Sequence, residues 1–374
     1  MTDTRLFKPL KIGNTQVQHR IGMAPLTRLR ATADRIPTPL MRKYYAQRAS
    51  VPGTLITEGT LISAAAAGGF PCAPGIWSDE QVAAWKTITD EVHKKGSVIY
   101  MQLFAMVRAA DIEVAESEGI EIVGPSAIPI PYDEKPGAPT PRAMTIAEIK
   151  QKTADFVTAS KNAMAAGFDG VEIHGANGYL LDQFLQDTSN QRDDEYGGSV
   201  ANRSRLLYEV LHEVVRAIGP DNVGLRLSPW SRFQGMRMED PIPQFEDIID
   251  RANLLGLAYL HLVESRNVDA QDYEGDVNEA SETLDFAYKR WNGPILVAGG
   301  YGPESARRLV DEKNPDKDIV VIFGRHFIAN PDLVHRLKEG VELTKYDRET
   351  FYTINSAVGY VDYHLAKSTL LGGA

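Results

Sequence analysis

The chain has 374 residues, a hydrophobic share of 43%, a charged share of 24% and a formal net charge of −10. This composition supports a sizeable globular core, and the acidic balance argues against a nucleic-acid or anionic-membrane partner. A single cysteine, Cys72, rules out an intrachain disulfide and suits a reducing compartment.

No apolar run is long enough to span a bilayer. The first residues lack the apolar core of a signal peptide, so the cytoplasm is the expected location. Residues 10–21 read as a short hairpin turning at Gly13-Asn14. The stretch from Ile21 to Arg28 reads as a strand ending in Pro25 and Thr27. A helix over 39–50, a strand over 54–59 closed by glycine, and a helix from Ser78 or Asp79 to about 95 follow. Residues 97–103 form a third strand.

From 105 to 141 the pattern breaks, and the stretch holds Pro125, Pro129, Pro131, Pro136, Pro139 and Pro141. A loop this long is usually a lid or binding excursion. Thr145 and Glu148 form a capping box for a helix over 145–166. Strands are then expected at 170–174, 223–228, 259–264, 294–300 and 318–325. Helices are expected over 199–217, 243–255, up to 291, and after each of the last two strands. Residues 267–282, with Asp269, Asp272, Glu274 and Asp276, read as a solvated acidic loop rather than a metal site.

About eight strands alternating with helices predict an α/β fold, a (β/α)8 TIM barrel with an N-terminal hairpin and a long excursion after strand 3. It is expected to be one domain over residues 1–374, with 105–141 capping the active site. A doubly wound open sheet is the alternative, but its dinucleotide fingerprint of three spaced glycines is missing.

In such a barrel the active site lies at the carboxyl ends of the strands. The run 170–179 stops as a strand and at once offers His174, Asn177 and Tyr179, with Gly175 and Gly178 easing a turn. On the strand 223–228, Val223, Leu225 and Leu227 share one face, and Gly224, Arg226 and Ser228 the other. Arg226 is therefore a cation aimed inward, which must meet an anion or an acceptor. An ion pair with Glu58 or Glu172 is the structural alternative. Gln102 ends the third strand in the same way.

Ala298-Gly299-Gly300 and Phe323-Gly324-Arg325 close the last two strands before helices starting near Pro303 and Asn330. Glycine lets a phosphate approach backbone N–H groups, a helix start favours negative charge, and Arg325 can add a bidentate contact. Tight strand-to-helix turns alone would also explain the glycines. No cluster of His and carboxylates has metal-ligand spacing, and no Gly-x-Ser-x-Gly elbow is present.

At these residues the chain resembles the old yellow enzyme family of FMN-dependent ene-reductases, over nearly its whole length. The resemblance runs through Leu6-Phe7-Lys8-Pro9-Leu10, Met23-Ala24-Pro25-Leu26-Thr27-Arg28, the stretch at 56–59, and the stretches at 102–104, 174–184, 190–199, 324–325, 345–348 and 351–352. It implies that Thr27 bonds the flavin carbonyl next to N5, Gln102 the pyrimidine edge and Arg226 the N1 region. It also implies that Pro25 and Gly59 line the ring system, and that Gly299, Gly300, Gly324 and Arg325 hold the phosphate. His174 and Asn177 would grip a substrate carbonyl or nitro oxygen, Tyr179 would deliver a proton, and Phe104 and Tyr352 would border the substrate.

Phe104 stands where many relatives carry tryptophan, and Gly300 where some carry a side chain. Thr27, rather than cysteine, matches the classical branch, and residues 105–141 look like fungal members. The resemblance implies FMN as cofactor, NADPH or possibly NADH as reductant, and an enone or nitro compound as substrate, in a monomer or homodimer. Two other readings stay open: a flavin-dependent isomerase or cyclisation enzyme without net reduction, and a binding protein with a vestigial site.

Overall fold

In the computed structural model, residues 4–49, 52–265 and 282–366 are described. The acidic residues Asp269, Asp272, Glu274 and Asp276 lie outside them. Eight strands close on one another: Ile21–Met23 (β1), Thr54–Ile56 (β2), Val98–Phe104 (β3), Gly170–Gly175 (β4), Val223–Leu227 (β5), Tyr259–Val263 (β6), Ile295–Ala298 (β7) and Ile319–Phe323 (β8). Every neighbouring pair is parallel, and β8 pairs with β1 while β2 pairs with β3. The expected (β/α)8 barrel is the fold found, and the open sheet is excluded.

Strand alternation sorts the side chains into two cores. Val223, Leu225 and Leu227 of β5, and Val171 and Ile173 of β4, pack outward with helix residues such as Phe156, Leu207 and Val210. The bore holds Ile56, Tyr100, Tyr259, Leu296, Val320 and Ile322. The tyrosines fit because glycines face them: a Cβ on Gly224 would lie 2.2 Å from the Tyr259 ring. Tyr100 and Tyr259 meet edge to face at 5.2 Å.

The hairpin consists of Leu10–Ile12 and Thr15–Val17 and stops there; Ile21 belongs to the barrel, not to the hairpin. Leu10, Ile12 and Val17 join the bore cluster, so the hairpin plugs the barrel. Its turn residue Gly13 has φ +51° and sits against the Asp221 carbonyl, just ahead of β5. The opposite, carboxyl end is thereby left as the open one.

Helix starts follow the sequence closely. Ser78 caps Asp79–His93 and Thr145 caps Ile146–Ala165, both through complete capping boxes. The helix expected over 199–217 is two segments, Val200–Arg203 and Arg205–Ile218. A five-residue helix, Arg325–Ala329, follows β8 directly and precedes the expected one, which begins at Leu333.

The stretch 105–141 is not structureless. It carries the helix Ile112–Glu118, and its Val123–Gly124 pairs with Arg142–Ala143. Buried Arg108 ties it to the loop after β5, donating to Ile128 O, Pro129 O and Gln234 O, each at 2.8 Å. Three more buried arginines fasten the C-terminal segment. Arg28 donates to Phe351 O and Gly359 O, Arg30 to Ser356 O, and Arg48 to Tyr360 O. Tyr44 and Tyr360 stack between them at 4.1 Å.

Candidate active site

A cavity of about 450 Å³ opens at the carboxyl end of the barrel. Pro25, Arg226, Gly299, Gly300, Gly324 and Arg325 all line it, together with Tyr301, His326 and Tyr346. Six residues chosen from the sequence therefore share one hollow. The glycines differ in their reasons. Gly300 has φ +83°, and a Cβ on Gly299 would collide with Glu264 at 2.5 Å, so the turn and its packing require both. A Cβ on Gly324 would meet only ordinary contacts with Leu26 and Ala24. Packing among the described residues does not itself demand glycine there; close approach of a ligand to the backbone would.

Arg226 is the second signal. It is buried, its Nε has no hydrogen-bond acceptor, and it makes no ion pair within 4 Å among the described residues. The alternative of an ion pair with Glu58 or Glu172 is therefore not what the structure contains. Glu58 instead accepts the Arg28 backbone N–H at 3.2 Å, beside the Tyr45 hydroxyl. Burial lowers the Arg226 pKa, with Glu172 opposing. A buried guanidinium left without an acceptor is a site for an electron-rich ligand atom.

His174 neighbours Arg226 in register across β4 and β5. Its Nδ1 accepts the Ala176 N–H at 3.3 Å, which leaves the ring proton on Nε2. Burial, then Arg226 and His261, push its pKa well below the usual value, so the ring is a neutral donor. Asn177 sits at φ +55°, a conformation asparagine tolerates. Ser228 Oγ accepts its N–H at 2.8 Å and Gln234 Nε2 donates to its carbonyl at 3.2 Å. The Asn177 side-chain amide makes no hydrogen bond among the described residues.

Gly178 supplies the turn at φ +72°, but Gly175 does not: it ends β4, where a side chain would crowd Leu207 and Arg226 O. The expectation that both glycines serve the turn holds for Gly178 alone. Tyr179 is 9% exposed and edge-on to both Phe104 and His174 at 5.1 Å. Burial raises its pKa, with Tyr352 adding and Arg226 opposing, so the phenol keeps its proton.

Gln102 is buried and donates to Glu172 at 2.7 Å. Gly59 packs against the Phe104 ring, and Thr27 is half-buried on the loop after β1. Tyr352 is 61% exposed on the fastened C-terminal segment. Among the described residues no group of three His, Cys, Asp or Glu could hold a metal, and no helix is long and apolar enough to cross a membrane.

Sequence reasoning missed most of the supports and took Glu172 only as a possible partner of Arg226. Asp182, Gln186 and Gln234 hold the 174–179 loop, and Glu172 with His261 holds the polar floor of the bore. Inward position on an alternating strand was the available signal for Glu172 and His261, as it was for Arg226.

The chain's residues 5–344 match the model of the NADH:flavin oxidoreductase / NADH oxidase family. It is 51% identical over 364 residues to a chanoclavine-I aldehyde reductase of Penicillium roqueforti, covering 96% of each chain. It is also 51% identical over 369 residues to a probable inactive reductase of Epichloe festucae var. lolii, covering 97% of this chain and 96% of that one. The crystal structure of an old yellow enzyme from Pichia sp. AKU4542 matches with a TM-score of 0.88 at 40% identity, covering 98% of this chain and 94% of that one. FMN fits the donor set: Arg226, without an acceptor among the described residues, could meet the ring's electron-rich edge, and the glycine backbone with Arg325 could meet a phosphate. The chain belongs to the NADH:flavin oxidoreductase / NADH oxidase family as an FMN flavoprotein of the old yellow enzyme kind.

Proposed function

We propose that this oxidoreductase takes reducing equivalents from NADPH and reduces the C=C bond of an α,β-unsaturated aldehyde, ketone or nitro compound. The observation that carries this reading is the cluster at the end of β4. His174 Nε2–H, the Asn177 amide and the Tyr179 hydroxyl are three donors without acceptors among the described residues, gathered beside Arg226. The aldehyde named for the Penicillium relative fits the same chemistry.

Bound FMN supplies the hydride carrier between the nicotinamide and the β carbon. The chain's residues do the rest. His174 and Asn177 hold the substrate oxygen and stabilise negative charge as it develops there. Tyr179 gives its proton to the α carbon and recovers one from solvent. Thr27, Gln102 and Arg226 orient the ring system, with Pro25 and Gly59 along its edges. Gly299, Gly300, Gly324 and Arg325 hold the phosphate. Phe104 and Tyr352 border the substrate, and residues 105–141 cap the site within one domain, held there by Arg108.

The test is the variant His174→Ala with Asn177→Ala, assayed with cyclohexenone. FMN content should stay at the wild-type level while enone turnover falls. Each lost donor costs roughly 2.7–4 kcal/mol in the barrier by analogy with an oxyanion hole, and the two need not add. Near-normal enone turnover in the double variant would remove the pair from the reaction.

A further inference from the structure

Beneath the cavity, inside the bore, lies a buried carboxylate that the proposed chemistry does not use. Glu172 on β4 is fully buried. It accepts three hydrogen bonds: from Gln102 Nε2 at 2.7 Å, from the Tyr259 hydroxyl at 3.2 Å and from His261 Nδ1 at 2.7 Å. Burial opposes its ionisation, but His261, Arg226 and Gln102 outweigh burial and hold its pKa below the usual value. Burial lowers the His261 pKa, so the pair consists of a carboxylate and a neutral imidazole donating to it.

Two consequences follow from chemistry alone. An ionised carboxylate only accepts, so the Gln102 amide must turn its nitrogen toward Glu172. Its carbonyl oxygen is then the atom presented on the other side. Glu172 also carries a full negative charge in the same bore as Arg226, yet outside ion-pair distance of it. It offsets the guanidinium field without occupying the guanidinium's donors. Such an interaction is strong in a low-dielectric interior.

We propose that Glu172 is a positioning residue for the cofactor: it fixes the Gln102 amide as a hydrogen-bond acceptor toward the pyrimidine ring and lowers the reduction potential by offsetting Arg226. The inference rests on the proposed placement of Gln102 and Arg226 against that ring. With a carboxylate at 172, Gln102 matches a ring N–H. With an amide at 172, Gln102 is free to turn and present its own N–H groups instead. Losing the charge leaves Arg226 to favour the electron-rich reduced cofactor.

The experiment measures FMN dissociation constant and midpoint potential for wild type, Glu172→Gln, Glu172→Asp and Gln102→Leu. Glu172→Gln should favour the reduced cofactor tenfold or more, a rise of about 30 mV for a two-electron couple, and weaken FMN about tenfold, the loss of one good hydrogen bond. Glu172→Asp keeps the charge but shortens the arm. It should weaken FMN to a similar extent with little change in potential, a split that a merely structural role would not give. If Glu172→Gln does not fold, unchanged FMN affinity in Glu172→Asp overturns the proposal. A folded Glu172→Gln with wild-type potential overturns it as well. Gln102→Leu with unchanged FMN affinity would show instead that the placement of Gln102 is wrong.

Discussion

Asp182 accepts the Gly178 N–H at 2.8 Å, so the loop carrying Asn177 and Tyr179 is tied down by a carboxyl group that has no ion-pair partner among the described residues. Its other oxygen accepts from Gln186 Nε2 at 3.1 Å. Burial pushes the Asp182 pKa up to about 7, with the Gly178 and Gln186 hydrogen bonds opposing. The folded value lies above the unfolded one, so the ionised form penalises the fold above about pH 7. That penalty is relieved as pH falls from about 7 toward 4.

Asp182→Asn removes this titration. The variant carries a constant cost, because Gln186 also accepts the Met238 N–H and cannot freely turn its amide. The stability difference between wild type and variant should nevertheless shift in favour of wild type by at least about 1.4 kcal/mol between pH 8 and pH 5. Urea unfolding at the two pH values checks it. A difference independent of pH would mean that Asp182 titrates normally.

His19 works in the opposite sense. It is buried behind the hairpin, its Nδ1 accepting the Ile21 N–H at 3.2 Å. Burial lowers its pKa to about 4. The neutral ring is accommodated above pH 6.5, and stability is lost as pH falls from 6.5 toward 4, because the unfolded chain binds the proton first. His19→Gln should suffer none of that acid loss, which reaches about 2–3 kcal/mol in wild type. Chemical denaturation at pH 7 and pH 4.5 separates the two chains. Equal acid sensitivity would return His19 to an ordinary pKa.

The barrel was legible because its strands obey period 2 and its helices carry their own caps. Ser78 and Thr145 act where their side chains predict. The inward position of Arg226 followed from the alternation of Val223, Leu225 and Leu227 alone. What it meets did not follow, since Glu58 and Glu172 were equally available carboxylates. Only register and bore packing show that each is engaged elsewhere. Asp182 was illegible for another reason. A carboxylate on a short helix looks solvated until the loop it supports folds back over it. The role of Gly175 was misread because a glycine at a strand end has two uses, turning and close packing, and sequence does not separate them.

Gly324 and Arg325 give a paired prediction at the phosphate end. A Cβ at 324 has room against Leu26 and Ala24, so Gly324→Ala should fold while weakening FMN by obstruction. Arg325, whose guanidinium lies 5.5 Å from the centre of the Tyr346 ring, should lose FMN affinity about tenfold or more as Arg325→Ala. Fluorescence titration of apoprotein with FMN measures both, and circular dichroism verifies the fold. Wild-type affinity in either variant would move the phosphate elsewhere in the cavity.

Tyr179→Phe isolates the proton step. The substitution removes one oxygen and keeps the ring that packs edge-on against Phe104 and His174. No hydrogen bond to another described residue is lost with that oxygen, so stability should change little. The raised pKa keeps the wild-type phenol protonated through neutral pH, so its rate contribution should be flat from pH 6 to 8. Reduction of the holoenzyme by NADPH needs no acid at this position and should survive in the variant. Reoxidation by an enone should slow by roughly 10²–10⁴, the usual weight of a positioned general acid. Reoxidation by a quinone, whose product oxygens exchange protons with solvent directly, should slow far less. Stopped-flow absorbance resolves the two half-reactions on one sample. An untouched enone half-reaction, or a failed reductive one, would take the proton from another donor and leave Tyr179 as a packing residue of the pocket wall.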